Sequence, residues 1–127
     1  MLDLDTVMAS SIVFDFGDMM RSYCTGACEV ERPEDLTLSH TRFRAVSDGF
    51  LSVWQNELTA VEKQALLPAT IAITSTLAIR FLTDYLLGDH YFQVKTPDGN
   101  RRRTLAQLAL AQAFIRDEKI LSRFLHR

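Results

Sequence analysis

The run Leu66-Leu67-Pro68-Ala69-Thr70-Ile71-Ala72-Ile73-Thr74-Ser75-Thr76-Leu77-Ala78-Ile79-Arg80-Phe81-Leu82-Thr83-Asp84-Tyr85-Leu86-Leu87-Gly88 decides the fold. It is the longest apolar stretch in the chain and far exceeds an ordinary strand. It predicts a helix from about Pro68 to Leu87. Pro68 suits the first turn, where an amide has no intrahelical partner. Gly88 suits the residue just past the end, where a left-handed conformation is needed. Threonines, Arg80 and Asp84 interrupt the run, which fits a buried core helix and not a membrane span.

Upstream of this run, Thr59 and Glu62 match a capping box, each side chain satisfying the other residue's amide, and predict a short helix to about Ala65. Before that, Ser39 suits an N-cap. Phe43, Val46, Phe50, Val53 and Trp54 follow at spacings of three and four, which is one apolar helix face. Phe43, Phe50 and Trp54 are therefore expected in the core. Residues 25–38 hold Gly26, Pro33 and the acidic residues Glu29, Glu31, Glu34 and Asp35, so they read as a surface loop. Ile12–Tyr23 predicts a helix capped by Ser10 or Ser11. Met1 to Asp5 alternates apolar and acidic residues, as a short strand does, and places Asp3 and Asp5 on one face. A lone strand leaves its backbone groups unpaired. Its partner is expected from another part of a longer protein or from a second copy, which would make a homodimer through the strand edge. Downstream of the long helix, residues 89–94 carry no clear pattern. Pro97-Asp98-Gly99-Asn100 marks a turn, and Thr104 with Gln107 suggests a second capping box opening a helix toward Leu125. The fold class expected is mainly α, with a short N-terminal strand.

The chain has 127 residues, 47% of them hydrophobic, which suits one domain with a real core. Its net charge of −2 gives no general affinity for nucleic acid or for a membrane. Arg101-Arg102-Arg103 reads as a solvated helix start. Cys24 and Cys28 form C-x3-C with no second pair positioned for zinc, so they read as unpaired thiols. That reading and the lack of a basic N-terminal stretch point to a cytoplasmic protein without a signal peptide.

The N-terminal segment carries the candidate chemistry. Asp3, Asp5, Asp15 and Asp18 lie within sixteen positions and are set among apolar residues. Carboxylates in such surroundings need partners, hydrogen bonds or a cation. Asp3-Leu4-Asp5-Thr6-Val7 resembles the first motif of haloacid dehalogenase-like phosphatases. That resemblance implies a nucleophilic Asp3 and an acid/base Asp5, but the helical remainder does not supply the repeated strands of a doubly wound sheet.

A longer resemblance joins several segments. Leu2 to Met8, then Phe14-Asp15-Phe16-Gly17-Asp18 and Arg21, then Ile79 to Leu86, Gly88-Asp89 and Tyr91-Phe92 resemble the C-terminal portion of the aminoglycoside-phosphotransferase-like kinases. Within that family they are most similar to the N-acetylhexosamine 1-kinases. Similarity runs from residue 2 to about residue 95, and Ala9-Ser10 departs from the Pro-Gly usual in the family. The resemblance implies the helical part of a protein-kinase-like C-lobe. It implies a parent that uses ATP and Mg2+ to phosphorylate an N-acetylhexosamine, at the anomeric hydroxyl. It implies Asp3 as the magnesium ligand, with Asp5 and Asp15 as supporting carboxylates. The physical logic is that magnesium takes carboxylate and phosphate oxygens together and neutralises charge on the transferred phosphoryl group. Arg80, Asp84, Tyr85 and Tyr91 are then expected to form a sugar-binding wall, with Arg80 and Asp84 able to pair across one helical turn.

No H-x-D-x-x-x-x-N catalytic loop occurs in the 127 residues, and neither does a nucleotide lobe. The expectation is a C-terminal portion of a longer kinase with no catalytic residue of its own, inactive by itself. The alternative from a different class is a non-catalytic helical interaction module.

Overall fold

A computed structural model describes residues 11–25 and 33–126. The expected strand, with Asp3 and Asp5, lies outside them, as does Cys28. The described residues form α1 (Ile12–Tyr23), α2 (His40–Trp54), α3 (Ala60–Leu86), α4 (Gly99–Arg116) and α5 (Glu118–Leu125), with a 3-10 turn at Pro33–Asp35. The protein is mainly α. Among the described residues the only β pairing is one isolated bridge, Thr25 to Leu38. The Ser39 amide, which donates to the Cys24 carbonyl at 2.9 Å, reinforces it.

Aromatic packing builds the core. Phe16 on α1 meets Phe43 edge-on, with centroids 6.5 Å apart, and lies 4.9 Å from Phe50. Phe43 also touches Phe114 of α4 and Phe124 of α5. Each such pair adds about 0.5–1.5 kcal/mol beyond area burial. Phe16, Met20, Phe43, Leu66, Leu110, Phe114 and Leu121 are fully buried. One free buried thiol, Cys24, sits 3.5 Å from the Met20 sulfur. Burial pushes that thiol up to about 12, against the opposing pull of Arg42, so it stays a neutral packing group.

α1 crosses α3 at close range. A Cβ on Gly17 would stand 3.1 Å from the Ala69 carbonyl oxygen and from the Thr70 amide nitrogen. α3 and α4 form an antiparallel hairpin, since Asp84 meets Asn100 and Phe81 meets Arg103. α1 packs on α3, and α5 packs on α2, α3 and α4.

Several ends agree with the expectations. α1 spans Ile12–Tyr23, with Ser11 at the N-cap position although its hydroxyl makes no cap bond. The Ser39 hydroxyl accepts from the Arg42 amide at 3.3 Å. At Thr59 the full capping box forms, with bonds of 2.8 and 3.2 Å. Gly88 stands at φ +97° just past α3.

Four expectations are corrected. α3 does not restart at Pro68; it runs unbroken from Ala60 with Pro68 inside it. The ring's φ is helical, but it removes one backbone bond and crowds the Gln64 carbonyl; Leu66, Leu67, Ala69 and Thr70 are buried on either side of it and offset that cost. α4 begins at Gly99, not Thr104; Thr104 donates its hydroxyl back to the Asn100 carbonyl inside the helix at 2.9 Å. The helix toward Leu125 breaks at Asp117, whose carboxylate accepts from His40 Nε2 at 2.8 Å and from Arg116 at 2.9 Å. That break turns Leu121 and Leu125 into the core. Finally, Trp54 is not a core residue: it is 41% exposed at the last turn of α2, and Leu58 from the following turn is buried instead. α3 is long and apolar enough by length and composition to cross a membrane, and it packs against α1 and α4.

Candidate functional site

The C-terminal end of α3 holds the expected wall residues together, in a different arrangement from the one expected. Asp84 is 6% exposed, the one charged side chain that is buried among the described residues. It does not pair with Arg80. Its Oδ1 accepts from the Tyr91 amide at 2.8 Å, and its Oδ2 accepts from the Phe92 amide at 2.9 Å and from Asn100 Nδ2 at 2.8 Å. Burial alone pushes the Asp84 carboxyl up. The amides of Phe92, Tyr91 and His90, together with Asn100, outweigh it and hold the carboxyl below its ordinary range. Asp84 therefore stays ionised with its oxygens occupied by the loop after α3. This buried side chain faces inward and holds that loop in place.

The loop's backbone explains why such a clamp is needed. Gly88 and Asp89 are both left-handed, at φ +97° and +59°. Asp89 is not a glycine, so the conformation needs local support. The Asp89 amide donates to the Asp84 carbonyl at 2.8 Å, and its side chain accepts from Asn100 at 2.9 Å. Asn100 thus ties both ends of the reversal to the first turn of α4.

Released from Asp84, the Arg80 guanidinium lies over two rings, 5.7 Å from the Tyr91 centroid and 5.5 Å from Phe92. It makes no ion pair or hydrogen bond among the described residues. Phe92 packs on Phe81 at 4.7 Å, and Arg103 covers the other end of the stack, 5.5 Å from Phe81. Tyr91 is 73% exposed beside Arg80. The Tyr85 side chain is half-buried on α3. The result is an aromatic shelf carrying a solvent-facing guanidinium whose donors are available to an oxygen-rich ligand.

Arg102 and Arg103 are not a simple solvated run. Arg102 pairs with Asp98 at 3.3 Å and donates to Thr96. Arg103 donates to the Gln93 carbonyl and to Asn100 Oδ1. Both stitch the loop to α4.

The other candidates stand apart from this corner. Asp15 is exposed on α1 and hydrogen-bonds to nothing among the described residues, while Asp18 pairs with Arg21 at 2.9 Å. Asp3 and Asp5 lie outside the described residues. Among those residues no group of three His, Cys, Asp or Glu side chains could hold a metal ion. Residues missed in the sequence are Phe92, Asn100, Asp89 and Arg103 as parts of one cluster. The turn signal at Pro97 to Asn100 marked the place, but no local pattern links Asn100 to a carboxylate sixteen positions earlier. No protein-family model matches the chain.

Proposed function

We propose that this chain forms the substrate-side part of the C-lobe of an ATP- and magnesium-dependent sugar kinase. The parent acts on an N-acetylhexosamine at its anomeric hydroxyl. The observation that carries the reading is the Arg80 guanidinium, held on the Tyr91 and Phe92 rings and unpaired among the described residues. Such a group donates to hydroxyl and acetamido oxygens, while the exposed Tyr91 ring offers a flat apolar surface to a sugar face. Asp84 acts through the loop: it fixes the Tyr91 and Phe92 amides and so sets where the shelf stands.

The resemblance of Leu2 to Met8 and of Phe14 to Asp18 supplies the rest of the reading. Asp3 would hold magnesium against the nucleotide phosphates, with Asp5 and Asp15 in support. Magnesium would neutralise charge on the phosphoryl group as it transfers. The base that takes the proton from the sugar hydroxyl belongs to the catalytic loop, which the 127 residues do not contain.

Calorimetric titration of the chain with N-acetylglucosamine tests the reading. The expected result is binding that Arg80→Ala abolishes and that Val53→Ala, on α2, leaves unchanged. No ADP is expected from the chain supplied with ATP, magnesium and the sugar. Absent sugar binding, or equal binding by Arg80→Ala, contradicts the proposal.

A further inference from the structure

Five cations lie between residues 80 and 103, namely Arg80, Lys95, Arg101, Arg102 and Arg103, against three carboxylates, Asp84, Asp89 and Asp98. The whole chain has a net charge of −2, so this segment is basic within an acidic protein. All three carboxylates are engaged. Asp84 accepts from the Tyr91 and Phe92 amides and from Asn100, Asp89 accepts from the same Asn100 amide group, and Asp98 pairs with Arg102. Arg103 is engaged as well, by the Gln93 carbonyl and by Asn100 Oδ1. Arg80 differs. It is exposed, and among the described residues its guanidinium makes no ion pair or hydrogen bond. The Tyr91 and Phe92 rings, 5.7 and 5.5 Å away, restrain it without using its N–H donors.

We infer that Arg80 and its shelf take an anion, a phosphate monoester carried on a sugar ring. The inference shares the shelf with the kinase reading and does not depend on it. A guanidinium is a planar fork whose donors match two oxygens of one phosphate. Its bonds to an anion are about twice as strong as those to a neutral acceptor. At an exposed site water competes well with a neutral hydroxyl and poorly with a charged oxygen. A phosphate monoester brings a charge of about −1.5 to −2 at neutral pH, which suits an excess of cations better than a single carboxylate does. No carboxylate of the same segment is free to hold Arg80 against it, because each has a partner of its own. The acidic remainder of the protein repels anions and so favours this corner. Tyr91, 73% exposed beside Arg80, offers its ring face to the sugar.

Calorimetric titration of the 127-residue chain at neutral pH with N-acetylglucosamine 1-phosphate, N-acetylglucosamine and inorganic phosphate tests this. The sugar phosphate should bind about tenfold more tightly than the free sugar, the difference between charge-assisted and neutral hydrogen bonds. Added salt should weaken it. Inorganic phosphate should bind more weakly than the sugar phosphate, because it leaves the Tyr91 ring uncovered. Arg80→Gln should abolish the preference for phosphate, and Arg80→Lys should keep part of it, with unchanged far-UV circular dichroism in both. Arg44→Gln is the control: it removes an equal charge from an exposed pair with Asp48 on α2 and should leave binding intact. A sugar phosphate bound no more tightly than the free sugar overturns the inference, and so does a loss in Arg80→Gln no greater than in Arg44→Gln. Tight binding of the sugar phosphate through Arg80 with no binding of the free sugar upholds this inference and counts against the kinase reading.

Discussion

Substituting Gly17 by alanine isolates the contact that sets the α1–α3 crossing. The added Cβ would stand 3.1 Å from three backbone atoms: the Ala69 oxygen, the Thr70 nitrogen and the Thr70 Cα. Backbone inside a helix anchored by Leu66, Leu67 and Thr70 cannot yield as a side chain can. Overpacking of this kind costs about 1–3 kcal/mol. Alanine recovers about 1 kcal/mol of helix propensity over glycine, so the net loss is about 1 kcal/mol and the melting temperature falls by about 4 °C. Gly49 is the matched control. It lies in the interior of α2, and a Cβ there meets nothing within 4 Å. Gly49→Ala should therefore gain about 0.5–1 kcal/mol from propensity alone. Urea denaturation followed by circular dichroism reads both. A Gly17→Ala protein as stable as the wild type, or one that gains stability alongside Gly49→Ala, refutes the packing account of this glycine.

Other perturbations test separate parts of the account. Hydrogen bonds from Arg116 and His40 hold Asp117 down to about 2, below its usual 3.8, against the opposing effect of burial. Its contribution to stability is present above pH 3.8 and is lost as pH falls toward 2. An acid denaturation profile should therefore flatten between those values in Asp117→Asn, and a profile identical to wild type would remove the proposed anchor of the α4–α5 break. Thr59→Ala removes both bonds of its hydroxyl at the start of α3 and should cost about 1 kcal/mol in urea. Asp84→Ala should leave the helices folded and raise amide hydrogen exchange at Tyr91 and Phe92 first; protection unchanged at those two amides would mean the clamp is not what holds the loop.

The helices were largely legible because their signals are local. The serines before Ile12–Tyr23, the apolar spacing from Phe43 to Phe50, the Ser39 cap, the Thr59 box and the Gly88 stop each involve neighbours within a turn or two. Pro68 misled because the burial of Leu66, Leu67, Ala69 and Thr70 around it offsets both the lost bond and the crowding of the ring against the preceding turn. The start of α4 and the break at Asp117 depend on partners far along the chain, Asp84 for Asn100 and His40 for Asp117. Trp54 fitted the apolar spacing, but α2 ends there and Leu58 fills the space. Arg80 and Tyr91 meet at the end of α3. The inward turn of Asp84 was hidden because an i, i+4 charge pair is the nearest local partner, and two amides of the following loop together with the Asn100 side chain of α4 outcompete it.

Heteronuclear amide spectra of the labelled chain, recorded as N-acetylglucosamine is added, probe the sugar-shelf reading most directly. The account predicts saturable shifts concentrated at the Tyr91 and Phe92 amides and at the Arg80 side chain, absent from Arg80→Ala. Spectra that do not change, or shifts that fall elsewhere on the molecule, would contradict it.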